Sequence, residues 1–92
     1  MLVVFSKNGC KHCASAKKML DEAKIDYEER NIDEFPVYRD FLIEAGHKSL
    51  PQIYINVNEE LHLFVSNGAK GLTELEEPIK NVIERIVEDV NR

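Results

Sequence analysis

Two cysteines stand three positions apart in the stretch Ser6-Lys7-Asn8-Gly9-Cys10-Lys11-His12-Cys13, and the 92-residue chain has no others. An apolar run, Leu2-Val3-Val4-Phe5, leads into this stretch, and a helical pattern leaves it. The pair therefore marks a strand-to-helix junction, the setting of a redox Cys-x-x-Cys. Residues three apart lie on one side of a helix, about one turn along. A cysteine at a helix start meets unpaired backbone N–H groups and the positive end of the dipole, and both favour the thiolate. A thiolate attacks a disulfide, and a second thiol one turn away can resolve the mixed disulfide it makes.

Other uses of the pair weigh less. Zinc usually takes four ligands. The remaining candidates are His12, which lies inside the motif, and His47 and His62, which are far apart and lack ligand spacing. A structural disulfide here would staple only a four-residue loop and add little to a folded core. Redox chemistry is favoured over zinc, and zinc over a structural role. No metal is expected.

The length points to a single domain over residues 1–92, large enough for a modest core without staples. Hydrophobic content of 43% and charged content of 32% is ordinary for a soluble globular chain. With a net charge of −5 and no run of Lys or Arg, nucleic acid is not an expected ligand. The first apolar run is too short for a signal peptide and no basic segment precedes it. No stretch approaches transmembrane length, so no membrane partner is expected. The expected location is a reducing cytoplasm, where a cysteine pair tends to be catalytic. A monomer is expected.

Leu2 to Phe5 reads as a strand buried on both faces. From Cys10 to about Lys24 the pattern is helical. Cys13, Ala16, Met19, Leu20 and Ala23 share its apolar stripe, so Cys13 should be sheltered and Cys10 exposed at the tip. Ile25 to Ile32 reads as a weaker strand, and the charges of Tyr27-Glu28-Glu29-Arg30-Asn31 suit it to a sheet edge. A second helix is predicted from about Glu34 to Ala45, with Asp33 as N-cap, Pro36 in the first turn and Gly46 as terminator. Phe35, Tyr38, Phe41, Leu42 and Ala45 would form its buried face. Pro51 precedes a β-prone run, Gln52 to Ile55, a position where its missing N–H costs nothing. Asn56 to Glu60 reads as a turn, and Leu61 to Val65 as the partner strand of an antiparallel hairpin. Ser66 to Gly71 reads as a loop because of its two glycines. Leu75, Ile79, Val82, Ile83, Ile86 and Val90 make a helical stripe. Pro78 argues for a short turn at 72–76 and a longer helix beginning near it. Thr73 and Glu76 have capping-box spacing.

The order strand, Cys-x-x-Cys, helix, strand, helix, Pro, hairpin, helix resembles the thioredoxin fold. The expected class is α/β, a four-stranded mixed sheet of order β2-β1-β3-β4 flanked by helices. Within that fold the chain resembles the small dithiol glutaredoxins of bacteria and large bacteriophages over nearly its whole length. Lys7 stands three before Cys10, and Gly46-His47-Lys48-Ser49-Leu50-Pro51-Gln52-Ile53-Tyr54-Ile55 resembles the family segment G-H-R-T-V-P-x-I-F-I, which carries a cis-proline. The resemblance implies a thiol–disulfide oxidoreductase that reduces protein disulfides and glutathione mixed disulfides. It casts Cys10 as nucleophile, Cys13 as resolving thiol and glutathione as reducing co-substrate.

The same resemblance implies a glutathione groove. The backbone of Leu50, held by cis-Pro51, would pair with the cysteinyl group. Lys7 and Lys48 would face the glycine carboxylate, and the N–H groups of Ala69 and Lys70 the γ-glutamyl end. An ordinary solvated charge is the competing reading for each lysine. Disulfide-bearing proteins are the implied clients, ribonucleotide reductase being the family's usual one. Three departures stand out, one being a hairpin between Pro51 and Gly68 that is longer than usual in the family. Lys11-His12 replaces the common Pro-Tyr between the cysteines, and His12, so placed, predicts a more oxidising pair through support of the Cys10 thiolate. The segment Asn67-Gly68-Ala69-Lys70-Gly71 lacks the acidic and hydroxyl side chains of the family's Gly-Gly-x-Asp/Ser-Asp loop. That loss supports a rival, a thioredoxin- or redoxin-type donor recharged by a flavin reductase. A second rival is an iron–sulfur-cluster-binding glutaredoxin.

Overall fold

The apolar run closes into β1 (Leu2–Ser6), and all five of its residues are buried. The computed structural model describes residues 1–65 and 68–92. After β1 come α1 (Lys11–Glu22), β2 (Tyr27–Asn31), α2 (Pro36–Glu44), β3 (Gln52–Val57), β4 (Glu60–Val65), α3 (Gly68–Thr73) and α4 (Ile79–Val90). The sheet has four strands in the order β2-β1-β3-β4. β1 runs parallel to β2, with Leu2 opposite Tyr27, and antiparallel to β3, with Leu2 opposite Ile55. This is the thioredoxin architecture expected from the order of elements. The charged strand β2 takes an edge, where its polar side chains meet water.

Successive strand residues point to opposite faces, so β1 serves two cores. Leu2 and Val4 join Ala16, Leu20, Ile53, Ile55, Val57 and Leu72 on one face. Val3 and Phe5 join Leu42 and Tyr54 on the other. The stripe on α1 buries Cys13, Ala16 and Leu20, with Met19 partly covered. Ala23, expected in that stripe, is instead the exposed C-cap, because the helix stops at Glu22 and the chain turns through Lys24 at φ +58°.

The start of α2 differs from the expectation. Asp33 is not its N-cap; Phe35 holds that position with no side-chain cap. The Asp33 carboxylate is engaged elsewhere, accepting the Asn8 N–H at 2.9 Å and the Arg39 guanidinium at 3.1 Å. Asn31 Oδ1 accepts the N–H groups of Asp33 at 2.8 Å and Glu34 at 3.2 Å, so an asparagine at the end of β2 holds the turn that leads into α2. The later start rotates Phe35 out of the core, and it is 52% exposed. Ala45 is also exposed, leaving Tyr38, Phe41 and Leu42 as the packing face. Gly46 ends the helix at φ +85°, as its position predicts.

The hairpin is tighter than the sequence implies. Val57 pairs with Glu60, so the turn is only Asn58-Glu59, both at positive φ as a two-residue type I′ turn requires. Of the expected loop Ser66–Gly71, Ser66 and Asn67 lie outside the described residues, and Gly68 onward is the helix α3. Gly68 serves close approach rather than a turn. A Cβ there would lie 2.4 Å from Pro51 Cγ and 2.9 Å from the Pro51 carbonyl oxygen. Thr73 closes α3 and sets its hydroxyl 3.8 Å from Met19 Sδ, so no capping box opens a helix at Thr73. The last helix starts after Pro78, as expected. Its residues Ile79, Ile83, Ile86, Val87 and Val90 lie half-buried on the aliphatic core. No helix among the described residues is long and apolar enough to cross a membrane.

Candidate active site

Cys10 is the N-cap of α1, in extended conformation at φ −93° and ψ +109°. Its Sγ accepts the N–H of Cys13 at 3.2 Å and is bonded to Cys13 Sγ in a disulfide, the two Cα atoms 5.2 Å apart. The extended backbone at Cys10 follows Gly9, whose φ of +68° lets the chain leave β1 and enter the helix. Cys10 is half-buried, whereas Cys13 is 1% exposed on the buried stripe. The loop before the pair is tied to the β2–α2 connection. Asn31 Nδ2 donates to Asn8 Oδ1 at 2.9 Å, beside the Asn8 N–H bond to Asp33.

Cys10 opens on a groove of about 670 Å³. The structure brings Lys7, Cys10, His12, Lys48 and Leu50 together along it, from two separate stretches of sequence. Pro51 lies behind Leu50, buried, with a cis Leu50–Pro51 bond as expected. Its carbonyl accepts the Gly68 N–H at 2.9 Å. Among the described residues, no loop backbone hydrogen bond engages Leu50. Lys70 does not line the groove. Its ammonium extends toward Glu74, 3.8 Å away on the same helical face, because 68–73 is helical and the i,i+4 pair forms. The backbone of Ala69 lies in α3, and its side chain is outside the described residues.

Sequence reasoning missed several walls of the groove: Ile32, Asp33, Arg39, Leu42, Ile43 and His47. In the sequence His47 stands only as a poorly spaced zinc candidate and as part of the segment Gly46 to Ile55, and neither assigns it to a groove wall. Its Nε2 lies 2.6 Å from the Tyr54 hydroxyl, and the rings meet edge to face at 5.8 Å. Burial pushes the Tyr54 phenol above its ordinary value, so the hydroxyl stays protonated. The available signal was local, since His47 directly follows the helix-ending Gly46.

A second hollow, about 600 Å³, lies on the other side of the pair and is bordered by Cys13, Lys17, Glu29 and Asn31. Glu29 Oε2 there accepts the Ser6 hydroxyl at 2.8 Å and the Lys17 ammonium at 2.6 Å. The Lys17 hydrogen bond holds the Glu29 carboxyl below its ordinary value, aided by Ser6 and opposed by partial burial. Nothing in the local pattern of β2 singles out Glu29 among its charged neighbours. Among the described residues no group of three or more His, Cys, Asp or Glu is placed to hold a metal ion.

Residues 2–60 match the glutaredoxin family model. The glutaredoxin-like protein NrdH of Lactococcus lactis subsp. lactis (strain IL1403) is 43% identical over 53 residues, covering 58% of this chain and 74% of that protein. The protein of the same name from L. lactis subsp. cremoris (strain MG1363) matches to the same extent. Among solved structures, the NrdH-redoxin of Escherichia coli, a glutaredoxin-like protein described as having a thioredoxin-like activity profile, superposes with a TM-score of 0.61. It is 20% identical, and the match covers 92% of both chains. The dithiolic glutaredoxin 2-C-Grx1 of Trypanosoma brucei brucei gives a TM-score of 0.64 at 23% identity, over 94% of this chain and 84% of that one. At such identities the two structures establish the shared fold.

Proposed function

The chain belongs to the glutaredoxin family of thiol–disulfide oxidoreductases, and we propose that Cys10 is its nucleophile and Cys13 its resolving thiol. The observation that carries this reading is the asymmetry of the pair: Cys10 faces the groove from the tip of α1, and Cys13 is 1% exposed beneath it. In the reduced protein the Cys10 thiolate attacks one sulfur of a client disulfide. A mixed disulfide forms, and the client's other sulfur leaves as a thiolate. Cys13, deprotonated, then attacks Cys10 Sγ. The client departs as a dithiol, and the Cys10–Cys13 disulfide remains. Two electrons have passed to the client.

The oxidised pair must then be recharged, and a flavin reductase of the thioredoxin-reductase type is the favoured donor. Two observations support it over glutathione. The chain is 43% identical to an NrdH protein across 74% of that protein's length. The segment expected to meet the γ-glutamyl end has no acidic or hydroxyl side chain over 68–71. Glutathione remains a second reading because Lys7, Lys48 and Leu50, its other expected contacts, do line one groove with Cys10. Clients are protein disulfides; ribonucleotide reductase is the one that the family resemblance implies. The test is NADPH oxidation coupled to reduction of a protein disulfide, run once with thioredoxin reductase and once with glutathione plus glutathione reductase. Turnover with thioredoxin reductase alone supports the redoxin reading. Turnover only in the presence of glutathione reverses it.

A further inference from the structure

We propose that the groove selects client segments that are acidic around their disulfide. The proposal rests on the reading of Cys10 as the nucleophile and concerns which disulfides reach it. Charge is distributed very unevenly over this chain. Four of the twelve Lys and Arg residues line the groove, against one of the seventeen Asp and Glu. The groove therefore carries a formal +3, and the rest of a chain of net charge −5 carries −8.

Three of the four groove cations are left available, as are Lys24, Lys80 and Arg92 away from the groove, which form no ion pair among the described residues. Arg39 faces Asp33. Lys7, Lys11 and Lys48 form no ion pair among the described residues, whereas Lys17, Lys18, Arg30, Lys70 and Arg85 each do. Their ammonium groups are exposed around Cys10, where a carboxylate can approach without losing its hydration. At physiological salt, charges more than about 8 Å away are largely screened. An incoming segment therefore feels the local +3 in contact, while the acidic remainder of the molecule is muted. Like-signed clients meet repulsion at the one place where sulfur must meet sulfur, and such juxtaposition discriminates between partners more strongly than it adds affinity.

The test uses three cyclic disulfide peptides of equal length whose cysteines are flanked by three Glu, three Gln or three Lys residues. Each is reduced by the pre-reduced protein in a single turnover. Each rate is divided by that of the same peptide with dithiothreitol, which removes intrinsic differences in the disulfides. The expected order is Glu, then Gln, then Lys, with the extremes apart by about tenfold or more. A Lys7→Gln/Lys48→Gln double variant should lose most of that spread, and Lys80→Gln, on α4, should keep it. Equal normalised rates for the three peptides, or an undiminished spread in the double variant, would overturn the proposal. Failure to reduce any of them would overturn the assignment of Cys10 itself.

Discussion

The two faces of the sheet are built from different materials. One is aliphatic: Leu2, Val4, Ile53 and Ile55 lie under Ala16 and Leu20 of α1, with Leu72 of α3 and half-buried residues of α4. The other is aromatic and covered by α2, with Phe5 at its centre. The Phe5 ring stacks on Phe41 at 5.2 Å and meets Tyr54 edge-on at 5.6 Å. The Arg30 guanidinium lies over Tyr38 at 5.4 Å and over Phe5 at 5.9 Å. The aliphatic face holds α1 and shelters Cys13. The aromatic face ends in polar tips, and one of these, the Tyr54 hydroxyl, reaches His47 on the groove wall. Aliphatic packing fixes where the cysteine pair stands, and aromatic packing shapes what it faces.

Paired core truncations are the strongest way to break this division. Phe5→Ala should cost about 3–5 kcal/mol and Leu20→Ala about 2–5 kcal/mol, both read by denaturant unfolding. The variants should separate in activity per folded molecule. Phe5→Ala removes the ring beneath Phe41 and Tyr54 and should reduce client turnover. Leu20→Ala leaves the groove wall untouched and should turn over nearly as wild type at low temperature. Equal losses of specific activity in the two would abolish the distinction between the faces.

A milder probe acts on the polar edge of the aromatic face. Tyr54→Phe removes one hydrogen bond and should cost about 0.5–1.5 kcal/mol. It also frees the His47 ring, so the His47 ring-proton resonances should move while the aliphatic methyl resonances of Leu20 and Ile55 stay in place. Shifts spreading to those methyls would mean that the two faces are mechanically one.

The smallest effect is expected at the sheet edge beside Cys13. The folded state holds Glu29 below its ordinary value, so its contribution is fully present above the ordinary carboxylate range and is lost as pH falls through the folded value. The carboxylate is partly exposed, which limits the contribution to about 1 kcal/mol or less. Glu29→Gln should be slightly less stable than wild type near neutral pH. The gap should close as pH falls below about 4, the ordinary carboxylate range. A gap that persists unchanged at low pH would show that the Lys17 and Ser6 contacts contribute through shape rather than charge.

The pattern of local features was legible in the sequence. The continuous apolar run Leu2–Phe5, the stripe carrying Cys13, the edge character of β2 and the helix stop at Gly46 all follow from rules acting within a few residues. What escaped depends on contacts between distant segments. Asp33 looked like an N-cap, but Asn8, 25 residues earlier, takes its carboxylate. Gly68 looked like a loop glycine, but it is small because Pro51 lies against it. Asn58-Glu59 forms a two-residue turn without the glycine that usually signals one. The cationic rim of the groove was partly legible, since Lys7 and Lys11 flank Cys10 in the sequence and the family resemblance brings in Lys48. Arg39 joins them only through the fold.

The central claim is that one thiol is offered to clients and the other is kept beneath it. Brief alkylation of the fully reduced protein with iodoacetamide at neutral pH, followed by mass analysis of the peptides bearing each cysteine, tests it most directly. The account predicts that the Cys10 peptide is labelled well before the Cys13 peptide. Labelling of both at comparable rates, or of Cys13 first, would contradict it.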